Sequence, residues 1–250
     1  LAAAAHEGLK CRLVLEQRVA GSYRKEASGN NFLFDLLGAE SLTIVDDGAD
    51  LGGAMQAEAE KLKALGRKGY VIPGGGSNAL GAMGYVVCAR EIMQQSLDMG
   101  VAFDEIVVPS GSASTHAGLL VGFHAANAGI PLTGVNVRRK RDEQEGNVHK
   151  LAVEAAAFAG LPSPERKSVV ALDEWVGPGY SLPTDEMVEA VRMFAQLEGV
   201  LLDPVYTGKA AAGLIGLARR GHFKKHAKVL FVHTGGAPSL FAYQNVLQST

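Results

Sequence analysis

The sequence predicts an α/β protein organised around mostly parallel sheet. Three observations lead there. Short β-rich runs alternate with longer segments of helical period along the chain, as they do when crossover helices join parallel strands. Hydrophobic residues fill 47% of the 250 positions, enough to bury a core as one large domain or as two lobes sharing a cleft. Glycine-rich loops follow several of the β runs, where open α/β sheets place their ligands.

The β runs are CRLVLE at 11–16, SLTIV at 41–45, YVI at 70–72, EIVVP at 105–109, LTGVNV at 132–137 and KVLFVH at 228–233. Between them, apolar residues recur at three- and four-residue steps over 51–65, 80–99, 115–128, 144–159, 184–197 and 209–219, which predicts helices there. The opening LAAAAHEGLK has helical composition, no cap before it and Leu1 in place of a methionine, so a helix already under way and a missing N-terminal part are expected. The expected division is 1–85 for the remainder of a smaller lobe and 86–250 for a larger, ligand-binding lobe. No internal repeat, heptad or low-complexity tract is present.

Twenty-four basic against 26 acidic residues give a formal charge of −2, so no global positive field draws the chain to nucleic acid or anionic membrane. Small-molecule chemistry is the better expectation. No apolar run approaches the roughly 20 residues that cross a bilayer, and the first residues lack a signal-peptide pattern. Cys11 and Cys88 sit in apolar segments with no framework spacing, which predicts reduced cysteines and a cytoplasmic setting. The seven histidines show no ligand spacing, and no catalytic metal is expected.

Four loops carry chemistry: PGGGSNALG at 73–81, PSGSASTHAG at 109–118, LLDPVYTGKAAAG at 201–213 and HTGGAPSLFAY at 233–243. None matches the Walker or dinucleotide glycine pattern. In PSGSASTHAG, Ser112, Ser114 and Thr115 sit between a strand and a helix start, so backbone N–H groups and hydroxyls face the positive end of a helix. That is the composition of an anion site. Its plain alternative is a strand-to-helix turn capped by Ser114 or Thr115. For PGGGSNALG the plain reading is favoured: Gly74, Gly75 and Gly76 as a close backbone crossing between lobes, with Ser77 or Asn78 capping the next helix. Tyr180 and Tyr206 lie in glycine- and proline-marked loops off any periodic face, where phenols serve proton transfer or carboxylate binding. The run RRKRDEQE at 138–145 reads as a solvated loop opening a helix.

Taken together, YVIPGGGSNALGAMGYV, SGSASTHAGLLVG, GPGYSLPTDE, LEGVLLDPVYTGKAAAGLI and VLFVHTGGAPSLFAY resemble, in order and spacing, the D-cysteine desulfhydrase and aminocyclopropane-carboxylate deaminase family. The resemblance covers essentially the whole chain. It implies a fold-type-II pyridoxal-phosphate enzyme, similar to the tryptophan synthase β subunit, with two three-layer α/β/α lobes and homodimeric assembly. It places the cofactor phosphate on Gly111, Ser112, Ala113, Ser114 and Thr115, and matches Tyr180 and Tyr206 to the two active-site tyrosines. Thr207 and Thr234 match hydroxyl positions near the pyridine nitrogen; neutral groups there favour elimination over transamination. The implied reaction is elimination from D-cysteine to pyruvate, ammonia and sulfide, with L-cysteate as the alternative substrate, its sulfonate assisted by the basic residues at 138–141. Ring-opening deamination is disfavoured, because that subgroup typically has Glu and Leu where this chain has Thr207 and Thr234. The family's GGNK-type lysine motif and QSNH-type loop do not occur in these residues, and Lys209 does not match the cofactor lysine. A chain lacking that lysine is expected to be inactive by itself, or to be a non-catalytic cofactor-binding protein.

Overall fold

The computed structural model describes residues 1–17 and 21–248. Its contacts divide the chain into two compact units, Leu1–Gly74 and Gly75–Thr250. In the first, α1 (Ala2–His6) leads into β1 (Arg12–Gln17), and α2 (Asn30–Leu36) precedes β2 (Ser41–Asp46) and α3 (Leu51–Ala64). β1 and β2 pair in parallel with Arg12 opposite Ser41. Asp50 starts α3 by accepting a hydrogen bond from the Gly53 amide, 2.9 Å. The Arg12 guanidinium donates to Glu40 at 2.8 Å and to Glu58 at 3.2 Å, tying the strand to that helix.

One expected strand is absent. Residues 70–72 form no ladder, and Tyr70 and Ile72 are largely exposed. An apolar triplet gains its hydrogen bonds only beside another strand edge, and this one has none. Conversely, α2 and a three-residue strand at Val170–Leu172 are not marked in the sequence; both are too short for periodicity to show them.

The second unit follows the alternation closely: α4 (Ala79–Asp98), β3 (Glu105–Ser110), α5 (Ser114–Ala125), β4 (Leu132–Asn136), α6 (Arg141–Ala159), β5 (Val170–Leu172), α7 (Asp185–Met193), α8 (Thr207–Arg219), β6 (Val229–Phe231) and α9 (Gln244–Gln248). The strands form one parallel sheet in the order β5-β4-β3-β6. Alternation along β3 sends Ile106 and Val108 into a core with α4, α5 and α6, while Val107 faces Val135 and Ala210 of α8. A three-layer sandwich results. Both cysteines are free and half-buried. Among the described residues no helix is long and apolar enough to cross a membrane.

The α4–α5 contact depends on two glycines. A Cβ on Gly118 would strike the Ala82 carbonyl and the Tyr85 side chain, and one on Gly122 would strike Ala89 and Val86. The two helices therefore approach backbone to backbone, which places α4 in the second unit from its first residues. Gly146 on α6 has open space around it. Gly122→Ala should lower unfolding free energy by about 1–3 kcal/mol through overpacking. Gly146→Ala should raise it by about 0.5–1 kcal/mol. Urea midpoints of both variants check the contrast, and equal shifts would refute this account of the packing.

Candidate active site

The sheet order fixes where a ligand crevice opens. From β3 the chain steps outward to β4 and β5, then returns to place β6 on the other side of β3. Loops leaving β3 and β6 thus diverge at a topological switch point. They carry residues 111–115 and 233–236. A small cavity of about 40 Å³ lies there, lined by Pro109, Gly111, Ser112, Ala113, Thr115, His116, Tyr206 and Thr234. It gathers six of the nine residues singled out from the sequence. Ser114 is buried in the first turn of α5 outside that lining, and Thr207 and Tyr180 are set back from it.

The β3–α5 turn is shaped to present donors. Ala113 stands before α5 at φ 89°, a left-handed conformation that costs an alanine about 1–2 kcal/mol. No side chain caps the helix, so neither Ser114 nor Thr115 is the N-cap. The first intrahelical bond reaches Ala113 from the Ala117 amide, which leaves the N–H groups of the opening turn directed outward. Gly111 must lack a side chain: a Cβ there would lie 2.8 Å from the Tyr206 ring and 3.1 Å from Val137. Uncapped amides, the hydroxyls of Ser112 and Thr115 and a backbone that a Cβ would obstruct fit a dianionic phosphate.

Behind the turn runs a polar chain, buried at Ser110, Gln144 and His116 and open to solvent at its Arg139 end, that sequence reasoning missed. Arg139 Nη1 donates to the Gly111 carbonyl at 2.8 Å, and its Nε meets Glu143 at 2.9 Å. The basic run is therefore only partly a solvated loop, since one of its guanidiniums turns inward. Gln144 Nε2 donates to Ser110 Oγ at 2.9 Å, and Ser110 Oγ is 3.1 Å from His116 Nδ1. His116 is fully buried, and Gly134 leaves the space that its imidazole fills. Burial pushes this imidazole down to about 4, so it is neutral at ordinary pH.

The second glycine loop is structural in its contacts. Asn78 caps α4, its Oδ1 accepting from the Gly81 amide at 2.7 Å. Gly75, at φ 68°, abuts Ser112 so closely that a Cβ would collide with the hydroxyl. The Ser77 hydroxyl is buried without a partner in this structure.

On the far side, Tyr180 and Tyr206 meet through their hydroxyls at 2.6 Å, with rings edge to face at 5.8 Å. Tyr206 precedes α8, whose start is organised by Asp203. The buried Asp203 carboxylate accepts from the amides of Val205, Tyr206 and Thr207 and from the Thr207 hydroxyl, all within 2.7–2.8 Å. Thr207 Oγ1 also accepts from the Asp203 amide at 2.8 Å. Its proton is thereby committed, and it has none to offer a ring nitrogen. Gly236, at φ 97°, closes against the Asp203 side chain and brings Thr234 to the cavity. Lys209 is wholly buried and donates to the carbonyls of Val176 and Gly179 at 2.6 and 2.7 Å, away from the phosphate turn.

A switch-point cavity with a donor-rich turn and a tyrosine pair beside it is where an open α/β enzyme takes its ligand, and the fold is that of the fold-type-II pyridoxal-phosphate enzymes. Residues 1–235 match the family of pyridoxal-phosphate-dependent enzymes, and the chain belongs to that family. It is 44% identical over 243 residues to a D-cysteine desulfhydrase of Klebsiella pneumoniae subsp. pneumoniae, covering 97% of this chain and 73% of that relative. A D-cysteine desulfhydrase of Yersinia enterocolitica is 43% identical over 244 residues, with the same coverage. The crystal structure of an aminocyclopropane-carboxylate deaminase homologue superposes with a TM-score of 0.86 at 37% identity, over 98% of this chain and 71% of that one.

Because the folded value of His116 lies below the ordinary 6.5, the unfolded chain takes up the proton first on acidification. The stability that rests on a neutral His116 is fully present above about pH 6.5 and is lost as pH falls toward 4. His116→Gln should flatten that slope. Denaturant midpoints across the window measure it, and parallel slopes in the two proteins would exclude His116 as the group responsible.

Proposed function

We propose that the holoenzyme, in a form that also carries the cofactor lysine absent from these residues, eliminates sulfide from D-cysteine, consuming one water to give pyruvate, ammonia and hydrogen sulfide. The observation that carries this reading is the opposition of a phosphate-shaped turn at 111–115 to the Tyr180–Tyr206 hydroxyl pair, in a chain 44% identical to a D-cysteine desulfhydrase. The second unit, Gly75–Thr250, is the part that holds the cofactor in this reading.

Pyridoxal phosphate, when bound, supplies the electron-withdrawing ring that makes the substrate Cα proton removable. Ser112, Thr115 and the outward amides of the turn hold the phosphate, with Gly111 and Ala113 contributing backbone only. Ser114 shapes the first helical turn. Of the two threonines matched to the ring nitrogen, Thr234 is the one whose hydroxyl lines the cavity, and Thr207 serves instead to fix the start of α8. In the tyrosine pair one phenol donates to the other, which sets the two hydroxyls side by side. Such a pair is suited to meet a substrate carboxylate or the departing thiolate.

L-cysteate is the weaker substrate. The basic run offered to a sulfonate has Arg139 engaged with Gly111 and Glu143, and Lys140 facing Asp173 at 4.0 Å.

Sulfide, sulfite and 2-oxobutyrate release from D-cysteine, L-cysteate and aminocyclopropane carboxylate separates the readings. Sulfide should dominate. Dominant 2-oxobutyrate would overturn the proposal, and dominant sulfite would move the substrate. Thr115→Val should weaken cofactor binding by about 1.5–3 kcal/mol, the worth of a hydrogen bond to a charged group. Tyr206→Phe should lower turnover and spare cofactor affinity. Unchanged affinity in the first variant, or unchanged turnover in the second, would remove that residue from its role.

A further inference from the structure

We propose that Lys209 is a positioning residue that sets the reach of Tyr180 by clamping the loop from which that tyrosine projects. The proposal rests on the reading that the Tyr180–Tyr206 pair serves the reaction.

Lys209 is an anomaly among the described residues. It heads the fully buried large side chains at 0% exposure, yet its recorded hydrogen bonds are to two backbone carbonyls, Val176 O at 2.6 Å and Gly179 O at 2.7 Å. Burial pushes its ammonium below the usual lysine range. Placing such a group in a core is costly unless its donors are satisfied. A lysine that merely filled space would be replaced at lower cost by methionine or leucine. What the ammonium adds is a two-point hold on a loop.

The start of that loop is held by Trp175, which lies against Gly213 and Gly216 of α8 with Arg220 4.7 Å over its ring, so the clamp bears on the stretch after it. Residues 173–184 contain no regular element, and Gly177 and Ser181 both take positive φ. Gly179 immediately precedes Tyr180, so the carbonyl held by Lys209 belongs to the peptide that fixes the direction of the tyrosine. A second anchor follows on the other side: the Tyr243 hydroxyl donates to the Ser181 carbonyl at 2.6 Å. Tyr180 is thus bracketed by two held carbonyls.

Lys209 itself stands in the first turn of α8, three residues after Tyr206, and the Ala210 amide bonds back to the Tyr206 carbonyl at 3.0 Å. One rigid turn therefore carries Tyr206 and, through the ammonium, the loop of Tyr180. The separation of the two phenol oxygens, 2.6 Å, is set by this bracket more than by their own hydrogen bond. A half-buried phenol pair on two separate segments needs both segments held to keep such a distance, and a misplacement near 1 Å at reacting groups costs about 10²-fold in rate.

Lys209→Met keeps the length and removes the donors. In the holoenzyme, hydrogen–deuterium exchange of the 174–182 segment should accelerate, while exchange of 111–117 and cofactor affinity stay at the parental values. Turnover should drop by about 10- to 100-fold with little change in KM. Tyr180→Phe should add less loss in the Lys209→Met background than in the parent, because the tyrosine is already out of place. Unchanged exchange at 174–182, exchange rising equally in both segments, or losses that simply add would each overturn the clamp. If Lys209→Met does not yield folded protein, Lys209→Gln, which retains an amide donor of shorter reach, carries the same comparison. Should Tyr180→Phe alone prove neutral, the tyrosine reading fails, and the exchange data still decide whether Lys209 holds the loop.

Discussion

The buried carboxylate of Asp203 gathers three successive backbone amides and one hydroxyl, and the tyrosine side of the site is arranged around it. A carboxylate at 2% exposure is tolerated only with its lone pairs filled, and these donors fill them. The same bonds stop the chain at Pro204, turn it and launch α8. Tyr206, Thr207 and Lys209 take their directions from that turn, and the 233–236 loop can approach only because Gly236 leaves room beside the Asp203 side chain. Loss of the carboxylate would leave four donors without partners and release both loops together.

The phosphate side has a separate support. Arg139, Gln144, Ser110 and His116 form a polar layer beneath Gly111 and the start of α5, and the glycine at 75 presses on Ser112 from outside. Parallel topology brings the two sides face to face. With β6 on one flank of β3 and β4 on the other, the loops after β3 and β6 have nowhere to meet except at the carboxyl edge of the sheet.

The parallel architecture was legible because it is written in local pattern: apolar runs of strand length, helical periods between them and glycine loops at the joins. The donor-rich turn was legible for the same reason, its hydroxyls and glycine being contiguous at 111–115. What escaped was long-range. Arg139 reaches back 28 residues to Gly111, and Lys209 reaches 33 residues to Val176, so neither partner can be inferred from neighbours in sequence. The Arg139 run looked like a solvated loop because three of its four charges have no reason to turn inward. Lys209 did leave a mark, a lone cation among alanines and glycines in a segment otherwise suited to burial. Thr207 shows the opposite difficulty: a hydroxyl in the expected place, whose proton was already claimed by a side chain four residues earlier. The run at 70–72 was read as a strand from composition, and a strand needs a neighbour that composition does not display.

Ala113 holds a backbone conformation that an alanine adopts reluctantly, in a turn held by Arg139 at Gly111 and crowded by Gly75 at Ser112. The entropy of ordering that turn is therefore settled when the chain folds and is not charged again when an anion enters. An anion held by backbone so fixed would meet a smaller ordering cost than one held by a floppy loop. The corresponding expense falls on the global unfolding equilibrium, where every molecule bears it whether or not its site is filled.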